Sequence, residues 1–208
     1  MQNVTERTSN PFGMRPPRFV DADRGAVYDY GDANADFHLV GHYPGEHGGR
    51  ETGVPFTGAP GTRRLQGVLA DLGFLSDVDS DAPQPSNLYA SYLHMSATPG
   101  DREPTAEEYQ RLEPFFDAGL RAVNAHILLP VGATAYRHTL REYTTRARKE
   151  PAIEDAHATQ IRGRGFLVVP VANPEDWSDA DDAALRDTLA AILDSDYRQT
   201  KGVATLIG

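Results

Sequence analysis

The chain has 208 residues, 39% apolar and 9% aromatic, which suits one globular domain with a full core and excludes a disordered chain. It has no cysteine, so disulfides, thiolate metal sites and a cysteine nucleophile are excluded, and no apolar run of about 18 residues is present to span a membrane. The formal net charge of −10 argues, at face value, against a nucleic-acid partner.

Residues 1–35 are expected to be an irregular lead-in, broken by Pro11, Pro16, Pro17, Gly25 and Gly31, with one domain over 36–208. The polar start has no apolar segment of the signal-peptide kind, so a cytoplasmic protein is expected, and a monomer is expected besides. From there the pattern alternates. Residues 37–41 form a short apolar run that predicts a buried strand. Residues 62–73 place Leu65, Val68, Leu69 and Leu72 at helical spacing, with Gly73 as a C-terminal cap. Residues 88–93 predict a second strand. Thr105 and Glu108 form a capping box that opens a helix running to about Asn124. Residues 125–132 predict a third strand, 133–143 a helix, 165–171 a fourth strand and 181–199 a closing helix. Near-continuous apolar strands alternating with helices predict an α/β fold. It is a three-layer α/β/α arrangement with a central four-stranded parallel sheet. Ligands of such sheets bind beyond the strand C-termini, so the informative loops begin at Gly41, Leu93, Gly132 and Val171.

The loop after residue 41 is the richest. It reads Gly41-His42-Tyr43-Pro44-Gly45-Glu46-His47-Gly48-Gly49 and continues to Gly53-Val54-Pro55-Phe56-Thr57-Gly58. Glycines let backbone approach a ligand closely and expose N–H groups to its oxygens. Phe56 on such a loop suits stacking on a flat ring, or else plugs the core; the residues alone leave both open.

These segments resemble the first motif of the uracil-DNA glycosylase superfamily, closest to its iron–sulfur class. Pro99-Gly100-Asp101-Arg102-Glu103-Pro104-Thr105 is similar to a later segment of that class, as is Leu129-Pro130-Val131-Gly132. Val169-Pro170-Val171-Ala172-Asn173-Pro174 stands where the class has its His-Pro-Ser motif. The resemblance covers about residues 36–195, and the order of the segments carries it. It implies hydrolysis of the N-glycosidic bond of a base flipped out of DNA, uracil first, without a cofactor in this cysteine-free chain. It further implies stacking of the base on an aromatic, a donor to the leaving base, and a carboxylate, amide or histidine that holds the attacking water.

Several positions depart from the family pattern. His42 replaces the class's Glu, Tyr43 stands where other classes have an acid or amide, and Asn173 replaces the second-motif His. Tyr92 aligns with the base-reading Asn. The resemblance then implies His42, Glu46 and Asn173 as catalytic groups, and Tyr43, Pro44, Gly45, Phe56 and Tyr92 as base-binding ones. Two other readings compete: a relative that binds DNA without cleaving it, and a metal site on His38, His42 and His47, which no nearby Cys or Asp supports. Arg146, Arg148, Arg162 and Arg164 lie in the one basic stretch and are candidates for DNA phosphates, or are solvated helix-end cations.

The charge itself bears on DNA binding. Of twenty basic residues only Lys149 and Lys201 are lysine, and Asp exceeds Glu. That balance suits a halophilic chain in a salty cytoplasm, where phosphate attraction is weak in any case.

Overall fold

A computed structural model describes residues 7–15, 25–145 and 151–197. Its elements are β1 (Tyr30–Gly31), β2 (Phe37–Gly41), α1 (Pro44–His47), α2 (Thr62–Asp71), β3 (Leu88–Tyr92), α3 (Ala106–Val123) and β4 (Ile127–Pro130). They continue through α4 (Gly132–Tyr143), α5 (Ile153–Ala156), β5 (Ile161–Arg162), β6 (Leu167–Val168) and α6 (Asp179–Leu193).

The sheet runs β1-β3-β2-β4-β6-β5. The four strands β3, β2, β4 and β6 are parallel, as the apolar runs predict. Every residue of β2, β3 and β4 is buried, because helices cover both faces. Phe37 packs on Phe74 beside α2, and α2 meets α6 on that face. His38, on the opposite face, meets Phe116 of α3, and His138 of α4 meets the same ring. The three layers follow.

The differences from expectation lie at the edges. β1 falls inside the expected irregular lead-in and pairs antiparallel with β3. β5 closes the far edge, antiparallel to β6. The fourth strand is shorter than residues 165–171. Gly163 donates to the Phe166 carbonyl, so 163–166 is a turn, while Val169 and Val171 still donate to Leu128 and Pro130 in extended backbone. The closing helix begins two residues early, because Ser178 and Asp181 form its capping box. It ends at Leu193, short of the predicted 199, where the Asp194 N–H returns to the Ala190 carbonyl. In α3 the box is Thr105 with Glu108, and Asn124 ends the helix in the left-handed region at φ 53°.

A buried carboxylate sits beneath this frame. Asp29 is 4% exposed, and the Tyr89 hydroxyl donates to its Oδ2 at 2.7 Å. Gly119 of α3 leaves room for it, since a Cβ there would stand 2.6 Å from that oxygen. Burial raises the Asp29 pKa from 3.8 to about 6, the Tyr89 bond and its own backbone N–H opposing.

Candidate active site

The ends of the parallel strands are stitched together. Leu93 donates to Gly41, Val131 to Val40 and Gly132 to Val171. The loops expected to carry the chemistry therefore open side by side. Gly61, at φ 75°, brings a further pair together. A Cβ there would collide with the backbone of Pro174 and Glu175, so the start of α2 rests against the turn that carries Asn173. Arg64 of α2 fixes that turn from below, donating to the Trp177 carbonyl at 2.6 Å and to Asp182 at 2.7 Å.

The first loop holds a short helix where proline and glycine suggest irregular chain. Pro44 takes its first position, where a missing N–H is harmless, and Gly48 N–H returns to the Pro44 carbonyl. This turn brings residues 42 and 46 together. His42 Nδ1 donates to Glu46 Oε2 at 2.5 Å. His42 is 2% exposed, whereas the Glu46 side chain is 30% exposed. The imidazole is therefore the buried member of the pair, and Glu46 is the partly exposed one. Tyr109 of α3 stacks on the His42 ring at 5.6 Å and 4°, and Tyr43 meets its edge at 4.7 Å. Burial pushes the Glu46 pKa up, but the His42 bond and the fields of His47 and His42 outweigh it, so the group is held below the ordinary carboxylate value.

The aromatic group differs from a presented platform. Phe56 is 4% exposed, and its backbone is left-handed at φ 60°, which turns the ring inward. His47 stacks on it at 5.5 Å and 30°, and Tyr92 lies tilted at 5.3 Å. Of the two alternatives for Phe56, the structure shows the buried one. Tyr92, expected at the base edge, is 1% exposed and pins the loop instead. Its hydroxyl accepts from Phe56 N–H at 2.8 Å and donates to the His47 carbonyl at 3.0 Å. Gln66 completes the clamp by donating to the Phe56 carbonyl at 3.0 Å. Gly41 has to lack a side chain, since a Cβ would lie 2.7 Å from both rings. Tyr92→Phe removes the acceptor for a buried N–H and is expected to lower stability by about 2 kcal/mol, read from the urea midpoint.

The remaining expected residues fall into place unevenly. Pro44 is buried, Gly45 exposed and Tyr43 6% exposed, so only Gly45 of the three offers open backbone. Asn173 Oδ1 accepts from Glu175 N–H at 3.4 Å, a turn cap of the ordinary kind. No contact joins it to His42 or Glu46, though its loop is their neighbour. Arg162 and Arg164 are exposed but sit in the hairpin before β6, at the N-terminal end of the parallel strands. That is the end opposite the site, because α4 runs the depth of the sheet from Gly132 to reach Tyr143, whose carbonyl accepts from Arg164 N–H. A cavity of about 440 Å³ at that far end is lined by Glu113, Asp117 and Glu142 against Arg121, a poor surface for phosphate. Arg146 and Arg148 lie outside the described residues.

His38 bonds Ser91 Oγ through Nε2 inside the layer facing α3, away from the first loop. Among the described residues no group of three His, Cys, Asp or Glu side chains is placed to hold a metal. A thiolate-held cluster does not fit a chain with no cysteine. The sequence does not single out Tyr109 or Gln66, whose roles arise only from packing, and it points to His47 only as a candidate metal ligand. No helix among the described residues is long and apolar enough to cross a membrane.

A family model described as the uracil DNA glycosylase superfamily matches residues 28–193. A type-5 uracil-DNA glycosylase of Thermus thermophilus is 28% identical over 144 residues, covering 68% of this chain and 66% of that protein. A type-5 uracil-DNA glycosylase of Pyrobaculum aerophilum is 30% identical over 141 residues, covering 65% of this chain and 62% of that protein. The matches thus span slightly less than two thirds of each relative's length.

Proposed function

The chain belongs to the uracil DNA glycosylase superfamily, and from that premise we propose that it hydrolyses the N-glycosidic bond of a damaged base in DNA, uracil first. The observation that carries the reading is the His42–Glu46 pair at 2.5 Å, whose partly exposed carboxylate lies at the end of the sheet where the loops converge.

Glycosidic cleavage of this kind builds positive charge on the sugar and negative charge on the base. A carboxylate held ionised answers the first need. Glu46 steadies the oxocarbenium-like sugar and accepts from the attacking water, while His42 fixes its orientation. Asn173 answers the second. Its oxygen is engaged by its own turn, so its amide N–H is the group left to donate to the departing base. Exposed Gly45 lets the nucleotide approach without a side chain in the way. Phosphate contacts fall to groups other than Arg162 and Arg164.

One observation favours a second reading, a relative that binds DNA without cleaving it: Phe56 has its ring covered by His47 and Tyr92. One assay separates the two. The protein is incubated in molar KCl, as the acidic and lysine-poor composition suggests, with labelled oligonucleotides carrying uracil, hypoxanthine or xanthine. Abasic sites are then cleaved with alkali. Strand breaks at uracil are the expected result. Binding without a break at any base selects the second reading.

A further inference from the structure

His47 is 3% exposed and its Nε2 has no hydrogen-bond partner, a costly state for a buried polar atom. The other ring nitrogen is accounted for by a hydrogen bond to the Val131 carbonyl. A carbonyl only accepts, so Nδ1 carries the proton and Nε2 is a bare lone pair. That lone pair lies 3.6 Å from Glu46 Oε1. The other carboxylate oxygen, Oε2, is already occupied by His42. Two acceptors therefore lie side by side at 3.6 Å, and neither can donate to the other.

Beside both atoms lies space that a side chain at residue 132 would fill, and residue 132 is glycine. A Cβ at Gly132 would stand 3.1 Å from Glu46 Oε1, 3.5 Å from His47 Cε1 and 3.6 Å from His47 Nε2. Gly132 is left-handed at φ 79° and opens α4 at the end of β4, so the space is built by the strand-to-helix turn. Two acceptors beside a missing side chain fit one species with two O–H donors, a water molecule.

We propose that His47 is a second catalytic residue, and that His47 Nε2 and Glu46 Oε1 together seat the attacking water over Gly132. This rests on the glycosylase reading and deepens it. Each hydrogen of the water points to one acceptor, which fixes where its lone pair points. The oxygen lone pair forms the bond to the sugar C1′ as the C1′–N bond breaks and its electron pair leaves with the base. One water proton passes to Glu46, and the base anion takes a proton from solvent. Burial lowers the His47 pKa to about 4, against the raising field of Glu46, so the ring is a neutral acceptor at neutral pH.

The test uses two readouts. His47→Phe keeps a ring against Phe56 and Tyr92 but removes the acceptor. It is expected to slow single-turnover uracil release about a hundredfold while leaving affinity for DNA with a 2′-fluorinated, uncleavable deoxyuridine unchanged. A high-resolution crystal structure of the wild-type protein is expected to show one ordered water within hydrogen-bond distance of both His47 Nε2 and Glu46 Oε1. Absence of that water, or a His47→Phe variant that cleaves at the wild-type rate, overturns the assignment of His47 and leaves the glycosylase reading standing. Wild-type protein that releases no base overturns that reading and the role of His47 with it.

Discussion

Glu46→Gln is expected to slow single-turnover release of uracil about a thousandfold, with affinity for uncleavable DNA within about twofold of wild type. The substitution keeps the length of the side chain and an oxygen for the His42 N–H to reach. In the proposed mechanism it removes the negative charge that faces the sugar as the base departs, and the site that accepts a proton from water. Both act only in the transition state, so the loss falls on the rate and not on binding. The pH profile supplies an independent check. In the proposed mechanism Glu46 works as the carboxylate, and its pKa lies below the ordinary value. Activity therefore holds as pH falls through the usual carboxylate range and is lost only beneath it. His42→Ala removes the hydrogen bond that is the largest single cause of the lowering, so the acid limb of the profile should move up. An acid limb that stays in place on this substitution would show that His42 does not act through Glu46.

Asp29→Asn is expected to stabilise the protein by about 2 kcal/mol at pH 8 and to have little effect at pH 4, measured from urea midpoints. The sign follows from the raised pKa. Below 3.8 the carboxyl is protonated in both the folded and the unfolded chain, and its burial is tolerated. Between 3.8 and about 6 the unfolded chain releases the proton and the folded chain keeps it, so stability falls as pH rises. Above about 6 the folded state holds a buried carboxylate with one hydroxyl as its side-chain partner, at a penalty of about 3 kcal/mol. Asparagine accepts from Tyr89 equally well and carries no charge. Part of the gain is offset because its amide N–H groups enter the same buried space. A pH-independent difference between the two proteins would show that Asp29 is not the titrating group.

Much of the fold was legible because parallel strands are buried on both faces. The runs at 37–41, 88–93 and 125–132 stand out as apolar stretches between helical patterns, and each holds a strand. The capping box at Thr105 and Glu108 marked the start of α3 for a local reason, as two side chains satisfy two free N–H groups. β1 and β5 were not legible. A two-residue strand has no period, and both exist because a neighbouring edge offers hydrogen bonds. The short α1 was hidden by its own residues, since Pro44 and Gly45 signal a turn as readily as a first helical turn.

The residues of the site were named by type and order, but their arrangement was not. His42 and Glu46 were candidates from the motif, while their pairing required the single turn at Pro44–His47 to close. Phe56 and Tyr92 were named as groups that touch the base, yet they bond and pack on each other. That outcome depends on the left-handed backbone of Phe56, on Gly41 and on Gln66, residues 15 and 10 positions away from Phe56 in the chain. Arg162 and Arg164 were grouped by composition, and the hairpin before β6 carries them to the opposite end of the sheet.

The sequence by itself determined the layer order, the family and the loops where chemistry would lie, because burial pattern and motif order are properties of the chain read locally. Only the tertiary structure decided which face of each side chain is free. It buried His42 beside Glu46, covered Phe56 with His47, and left a bare nitrogen beside a bare oxygen next to Gly132. Exposure and hydrogen-bond partnership depend on what packs against a residue from distant segments, and no local pattern records that.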